Sequence, residues 1–174
     1  MDLQAALKKL IVDVPDFPTE GVTFKDITPL LDNGEALLIV IDHLKARYAT
    51  RGVQKIVAIE SRGFLLGSAL AYALGIGLVL VRKPGKLPRE TREVTYALEY
   101  GTDTLQMHVD ALETQEKVVI VDDVLATGGT ALATAQLVEA SGAHVMELAC
   151  LMELGFLNGR ARLGARPVYS VIQY

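Results

Sequence analysis

A chain of 174 residues is long enough to bury a substantial core and fits one domain, 1–174. Its 51% hydrophobic content with only 6% aromatics suits an aliphatic, layered α/β fold and argues against a disordered or fibrous chain, while the net charge of -4 argues against a general nucleic-acid binder. The single cysteine, Cys150, lies in an apolar run from Val145 to Met152 and gives neither a disulfide framework nor metal spacing, so it reads as a small core residue. No basic leader followed by an apolar stretch opens the chain, and no segment reaches the ~18 uninterrupted apolar residues of a membrane span. A cytoplasmic protein without a membrane or nucleic-acid partner is the expectation.

Leu3, Leu7, Leu10 and Ile11 recur at helical spacing and predict an amphipathic helix over 2–12. Pro15 and Pro18 end it, because proline and the residue before it resist helix. From Thr19 to Ile27 the chain reads as an irregular connection, in which Phe24 taken alone is a core aromatic sooner than a ligand contact. Leu37, Ile41, Leu44 and Tyr48 share a helical face, with Gly52 placed to stop that helix. A buried strand follows at Lys55 to Ile59, and the turn Glu60-Ser61-Arg62-Gly63 leads into a helix from Leu65 to Leu74 closed by Gly75. Arg62 at this strand-to-helix switch suits a phosphate by its fork geometry, and equally an internal carboxylate.

Gly77 to Val81 is a third apolar strand. Beyond it, residues 82–92 carry five basic side chains (Arg82, Lys83, Lys86, Arg89, Arg92) against the single acid Glu90, and Pro84, Gly85 and Pro88 forbid a regular element. Such a run is commonly a solvated face, but here it leaves the carboxyl edge of a sheet, where attraction of a polyanion is the better reading, and pyrophosphate is a suitable one. Val94 to Gly101 and Thr104 to Val109 then form two strands of an antiparallel flap, a lid or hood of about 83–110 hinged by proline and glycine.

The most informative stretch comes next. Val118 to Val121 are consecutive β-branched residues that predict a parallel strand covered on both faces, and Asp122 and Asp123 stand where it stops. Ala126, Thr127, Gly128, Gly129 and Thr130 then feed a helix that ends near Gly142. A glycine turn at a helix N-terminus cradles anions through unpaired N–H groups and the positive dipole end. A phosphate for this loop and hydroxyls for the two acids describe a ribose 5-phosphate. Strands at His144 to Leu151 and Val168 to Ile172 close the chain, with a loop or short helix over 153–160. The alternation predicts a mostly parallel central sheet flanked by helices, with ligands at its carboxyl edge.

The segment from Val118 to Thr130 resembles the phosphoribosyl-pyrophosphate (PRPP) motif of type I phosphoribosyltransferases. Phe17-Pro18-x-x-Gly21-Val22-x-Phe24-Lys25-Asp26, the stretch from Arg82 to Pro88, and Leu98-Glu99-Tyr100-Gly101 resemble the adenine-using branch of that family. The resemblance implies that Phe24 stacks on the base, that the Lys25 backbone meets its edge and that Leu154, otherwise a packing residue, covers its other face. It further implies that the turn at Glu60-Ser61-Arg62 faces pyrophosphate, often with an unusual peptide bond, and that Glu99, otherwise an unremarkable strand-end acid, handles the proton when the base nitrogen attacks. Arg82, Lys83 and Lys86 are expected at pyrophosphate, Ala126 to Thr130 at the 5-phosphate, and Asp122 and Asp123 at the ribose. The implied reaction makes AMP and pyrophosphate from adenine and PRPP. Mg²⁺ is expected mainly on substrate oxygens, with no direct protein ligand assigned, and a homodimer is implied. A PRPP-sensing regulator, an enzyme for another base and a plain α/β domain with no such ligand are the competing readings.

Overall fold

The computed structural model describes residues 3–97 and 101–174. Five strands form its central sheet: β3 (Lys55–Ile59), β4 (Gly77–Val81), β7 (Lys117–Leu125), β8 (His144–Glu153) and β9 (Val168–Gln173). They lie in the order β4-β3-β7-β8-β9, and every pair is parallel. The β-branched run explains the position of β7 at the centre. Val119 and Val121 enter one core with Ile56, while Val118 and Ile120 enter the other with Val57 and Ile59. A strand covered on both faces has no polar side, which is why the run is continuous rather than alternating.

Helices α2 (Thr28–Asp32), α3 (Gly34–Tyr48) and α4 (Gly63–Leu74) supply the first core, and α5 (Gly129–Ala140) the second. Asn33 starts α3 by accepting a hydrogen bond from the Ala36 amide at 3.0 Å, and Gly75, at φ 68°, ends α4 in the left-handed conformation. Strands β5 (Thr91–Ala97) and β6 (Thr102–His108) pair antiparallel as the expected flap and join the rest through a bridge between Arg82 and Gln106.

The chain leaves β3 toward β4 on one side and β7 toward β8 on the other, so the order reverses between β3 and β7. A crevice opens there at the strands' carboxyl ends. Pairing of β3 with β7 stops at Val121, yet β7 does not end at Asp122 as its sequence suggests. Pairing with β8 carries it on through Asp122↔Cys150, Val124↔Met152 and Leu125↔Glu153. The two acids are therefore fixed by one neighbouring strand and facing the crevice that the other has vacated.

The amino-terminal segment departs further from expectation. The first helix, α1 (Leu3–Lys8), is shorter than 2–12, because Ile11 turns into the core as the chain enters β1 (Val12–Val14). What read as an irregular connection contains β2 (Phe24–Asp26), antiparallel to β1 with Asp13 opposite Lys25, followed by α2. Three-residue strands lie below the length at which alternation is readable.

Close layer packing makes one position diagnostic. A Cβ on Gly67 in α4 would lie 2.6 Å from the Cβ of Ala58 on β3. Alanine's helix propensity favours the substitution by ~1 kcal/mol, against ~1–3 kcal/mol for overpacking a core. Gly67→Ala should therefore lower stability to urea by up to about 2 kcal/mol, with partial recovery on adding Ala58→Gly; an unchanged midpoint would show that the layers yield.

Candidate active site

The glycine turn is held from beneath. Gly128 caps α5 at φ 83°, and a Cβ there would sit 2.5 Å from the Gly159 carbonyl oxygen. A Cβ on Gly159, the first residue of α6 (Gly159–Leu163), would sit 2.2 Å from the Ala126 carbonyl oxygen. Backbone thus rests on backbone, and no other residue type permits that approach. Above this turn lies a cavity of about 370 Å³ lined by Ala126 to Thr130, the two acids, the 60–62 turn and Lys83.

Asp122 is half-buried at the cavity wall, and its Oδ1 accepts the Asp123 amide N–H at 2.8 Å. Loss of hydration first, and the adjacent Asp123 carboxylate second, push the Asp122 carboxyl well above its ordinary range. Asp123 is buried and paired with Arg62, whose Nε donates to its Oδ2 at 2.5 Å. Of the two partners open to Arg62, phosphate or internal carboxylate, the structure shows the carboxylate. The guanidinium also lies over the Phe24 ring, 4.9 Å from its centroid.

Phe24 opens a second cavity of about 510 Å³, walled by Leu154, Met152, Phe156 and Val22. Phe17 meets Phe24 edge-on, with ring centroids 5.2 Å apart. Arg62, Val124, Ala126 and Thr127 line both cavities, so the anion cradle and the apolar slot form one continuous site. The ammonium of Lys25 points away from the slot, to Asp13 at 2.6 Å and over the Tyr174 ring at 4.2 Å. That leaves only its backbone to meet a base.

The basic segment is less free than its composition suggests. Glu60 accepts from Lys86 Nζ at 2.6 Å, from the Lys83 amide at 2.9 Å and from Arg82 Nε at 3.2 Å. Lys83 pairs through its side chain with Asp103, and of the three cations expected at pyrophosphate it alone lines the 370 Å³ cavity. The peptide bond between Glu60 and Ser61 is cis. From the flap, Tyr96 reaches Thr130 Oγ1 at 3.1 Å and Asp103 Oδ2 at 3.3 Å, tying the hood to the phosphate turn. Glu99 lies outside the described residues. Sequence reasoning passed over Tyr96, Asp103 and Val124 as site residues. Alternation along β5 puts Val94 and Tyr96 on one face, but nothing local says that this face meets α5.

The chain matches the phosphoribosyl transferase domain family over residues 26–166. It is 58% identical over 168 residues to the adenine phosphoribosyltransferase of Roseiflexus sp. (strain RS-1), covering 97% of this chain and 98% of the relative. Its structure is similar to that of the adenine phosphoribosyltransferase from Thermoanaerobacter pseudethanolicus, with a TM-score of 0.95, 48% identity and coverage of 98% of this chain and 99% of the other. Against the Saccharomyces cerevisiae enzyme complexed with an imino-altritol bisphosphate and adenine the TM-score is 0.91, with 42% identity over 97% of this chain and 98% of that one.

The Glu60 cluster has a pH signature. Burial opposes the charge on Glu60, but hydrogen bonds from Lys86, the Lys83 amide and Arg82 outweigh it and bring the carboxyl from 4.5 down to about 2. A folded value below the unfolded one adds stability above pH ~4.5 that is lost as pH falls toward 2. Glu60→Gln should flatten the acid limb of Tm against pH in that window. An acid limb identical to that of the unsubstituted chain would mean that the cluster adds no net stability.

Proposed function

The chain belongs to the adenine phosphoribosyltransferase family, and from that membership we infer that it transfers the 5-phosphoribosyl group of PRPP to adenine, giving AMP and pyrophosphate. The observation that carries the residue assignment is the continuity of the two cavities through Arg62, Val124, Ala126 and Thr127, with Asp122 and Asp123 on the wall of the first. A planar base between Phe24 and Leu154 then faces a ribose held by the two acids, while Ala126 to Thr130 hold the 5-phosphate. Displacement occurs at the anomeric carbon: the bond to pyrophosphate breaks, and the bond to the base nitrogen forms.

Positive charge develops on the ribose as pyrophosphate departs, and carboxylates preorganised beside it stabilise that charge. Asp123 is kept in place by Arg62. Burial and the Asp123 charge oppose the negative charge on Asp122 in the free chain, and positive charge beside it works the other way, favouring the carboxylate. Glu99 takes up the proton lost by the attacking base. Lys83 meets the leaving pyrophosphate, while Arg82 and Lys86 reach it by exchanging their contact with Glu60 for the ligand. The hood of about 83–110, anchored by Tyr96, covers the reacting groups from water.

Mg²⁺ fits this site as a passenger on substrate oxygens. Among the described residues no three His, Cys, Asp or Glu side chains gather into a cage, and a Mg²⁺ carried in by PRPP would need no direct protein ligand, with the carboxylates Asp122 and Asp123 in the same cavity. When bound, it supplies neutralisation of the leaving group's charge.

We further propose a homodimer, supported by the exposed Leu65 and Tyr72 of α4 and the exposed Leu78 and Leu80 of the edge strand β4. No helix among the described residues is long and apolar enough to cross a membrane, in keeping with a cytoplasmic location.

Pyrophosphate release from PRPP and Mg²⁺, with adenine, hypoxanthine, guanine, xanthine or orotate in separate reactions, tests the base assignment. Release with adenine alone is expected; release with another base would overturn the slot, and PRPP binding without release would favour a regulator. The double variant Asp122→Asn with Asp123→Asn should stay folded and lose on the order of 10²-fold or more in turnover, and Glu99→Ala should lose turnover with PRPP affinity retained. Normal turnover in either variant would remove those acids from the chemistry.

A further inference from the structure

The two walls of the apolar slot come from distant parts of the chain, Phe24 from β2 and Leu154 from the end of β8, and both are keyed to one residue outside the slot. The Tyr174 ring lies under the Lys25 ammonium, 4.2 Å away, and under that of Lys8, 4.8 Å away. Its backbone amide donates to the Glu153 carbonyl at 3.0 Å, and its carbonyl accepts the Gly155 N–H at 3.0 Å. Lys25 adjoins Phe24, and Glu153 and Gly155 flank Leu154. The contacts to the two walls differ in kind: a side-chain ring holds one and a backbone pair holds the other.

We propose that Tyr174 is a positioning residue for the base, setting the separation of Phe24 and Leu154 and hence the affinity for the planar substrate. The inference rests on the slot being the adenine site. Tyr174 is not among the residues lining either cavity, so its effect runs through Lys25 and the β2 backbone. The Lys25–Asp13 ion pair at 2.6 Å steadies the same ammonium from β1, which caps how far β2 can drift when the ring is lost. Desolvation, followed by the Asp13 charge, raises the Tyr174 phenol above its ordinary range, so the ring is neutral throughout the working pH range and acts by its face.

A cation held over an aromatic ring supports an effect of about 3- to 10-fold. Tyr174→Leu, which keeps the apolar bulk and removes the aromatic face, should raise KM for adenine by about that factor with kcat and KM for PRPP unchanged. Tyr174→Phe, which keeps the face and the ring position, should restore the KM for adenine. Adenine titrated calorimetrically into the protein saturated with pyrophosphate should show the same order of affinities. A fall in kcat with both KM values, or a Leu variant indistinguishable from the unsubstituted chain, would overturn the positioning role. No AMP synthesis by the unsubstituted chain would instead overturn the function on which the role depends. If Tyr174→Leu does not fold, Lys25→Met breaks the same contact from the other side, and an unaltered KM for adenine there would equally end the proposal.

Discussion

The ion pair between Arg62 and Asp123 joins parts of the molecule that would otherwise have no reason to be in register. Arg62 stands at the N-cap of α4, Asp123 lies in the stretch of β7 beyond its pairing with β3, and the guanidinium also covers the Phe24 ring from β2. A buried carboxylate is costly unless it is paired and hydrogen-bonded, so Asp123 constrains where α4 can start. Gly63 follows from that constraint. A Cβ there would lie 2.8 Å from the Val121 carbonyl oxygen, so only glycine lets the helix come down onto β7 next to the pair. The crevice at the reversal of strand order thereby acquires an acid, a cation and an aromatic face at fixed separations.

The surrounding charges follow the same logic of compensation. Basic side chains gathered to meet a polyanion would repel one another in the free protein, and Glu60 and Asp103 relieve that by occupying Arg82, Lys86 and Lys83. Under the proposed function the acids are internal stand-ins for pyrophosphate, holding the three cations as a group until the ligand arrives. Exchange of one set of charge-assisted hydrogen bonds for another is nearly balanced, which favours a site that fills and empties. Tyr96 does the equivalent for the hood, since its hydroxyl bridges Asp103 and Thr130 on the wall of the 370 Å³ cavity.

The matched domain spans 26–166, which includes the central acids, the glycine turn and the basic segment. Phe17, whose ring braces Phe24 edge-on, and Tyr174 behind the slot lie outside that span, although both pack against the side that would hold the base. Phe24 lies outside that span too, so the proposed base slot draws one wall, Phe24, from the amino-terminal segment and the other, Leu154, from the matched domain.

The sequence by itself determined the central strand, the glycine turn, the alternation of strands and helices from β3 onward and the antiparallel flap, because each is written in a local period or a backbone requirement that only certain residues meet. The aliphatic run at Val118 to Val121 and Gly128 at φ 83° belong to this class. Tertiary structure alone decided three other things. It carried β7 past Asp122, because β8 continues to pair where β3 has stopped; it gave Arg62 to Asp123 although phosphate suited it equally; and it turned Arg82 and Lys86 onto Glu60. In each case the deciding partner is distant in sequence or on a neighbouring strand, and a long-range pairing leaves no period in the residues that take part in it.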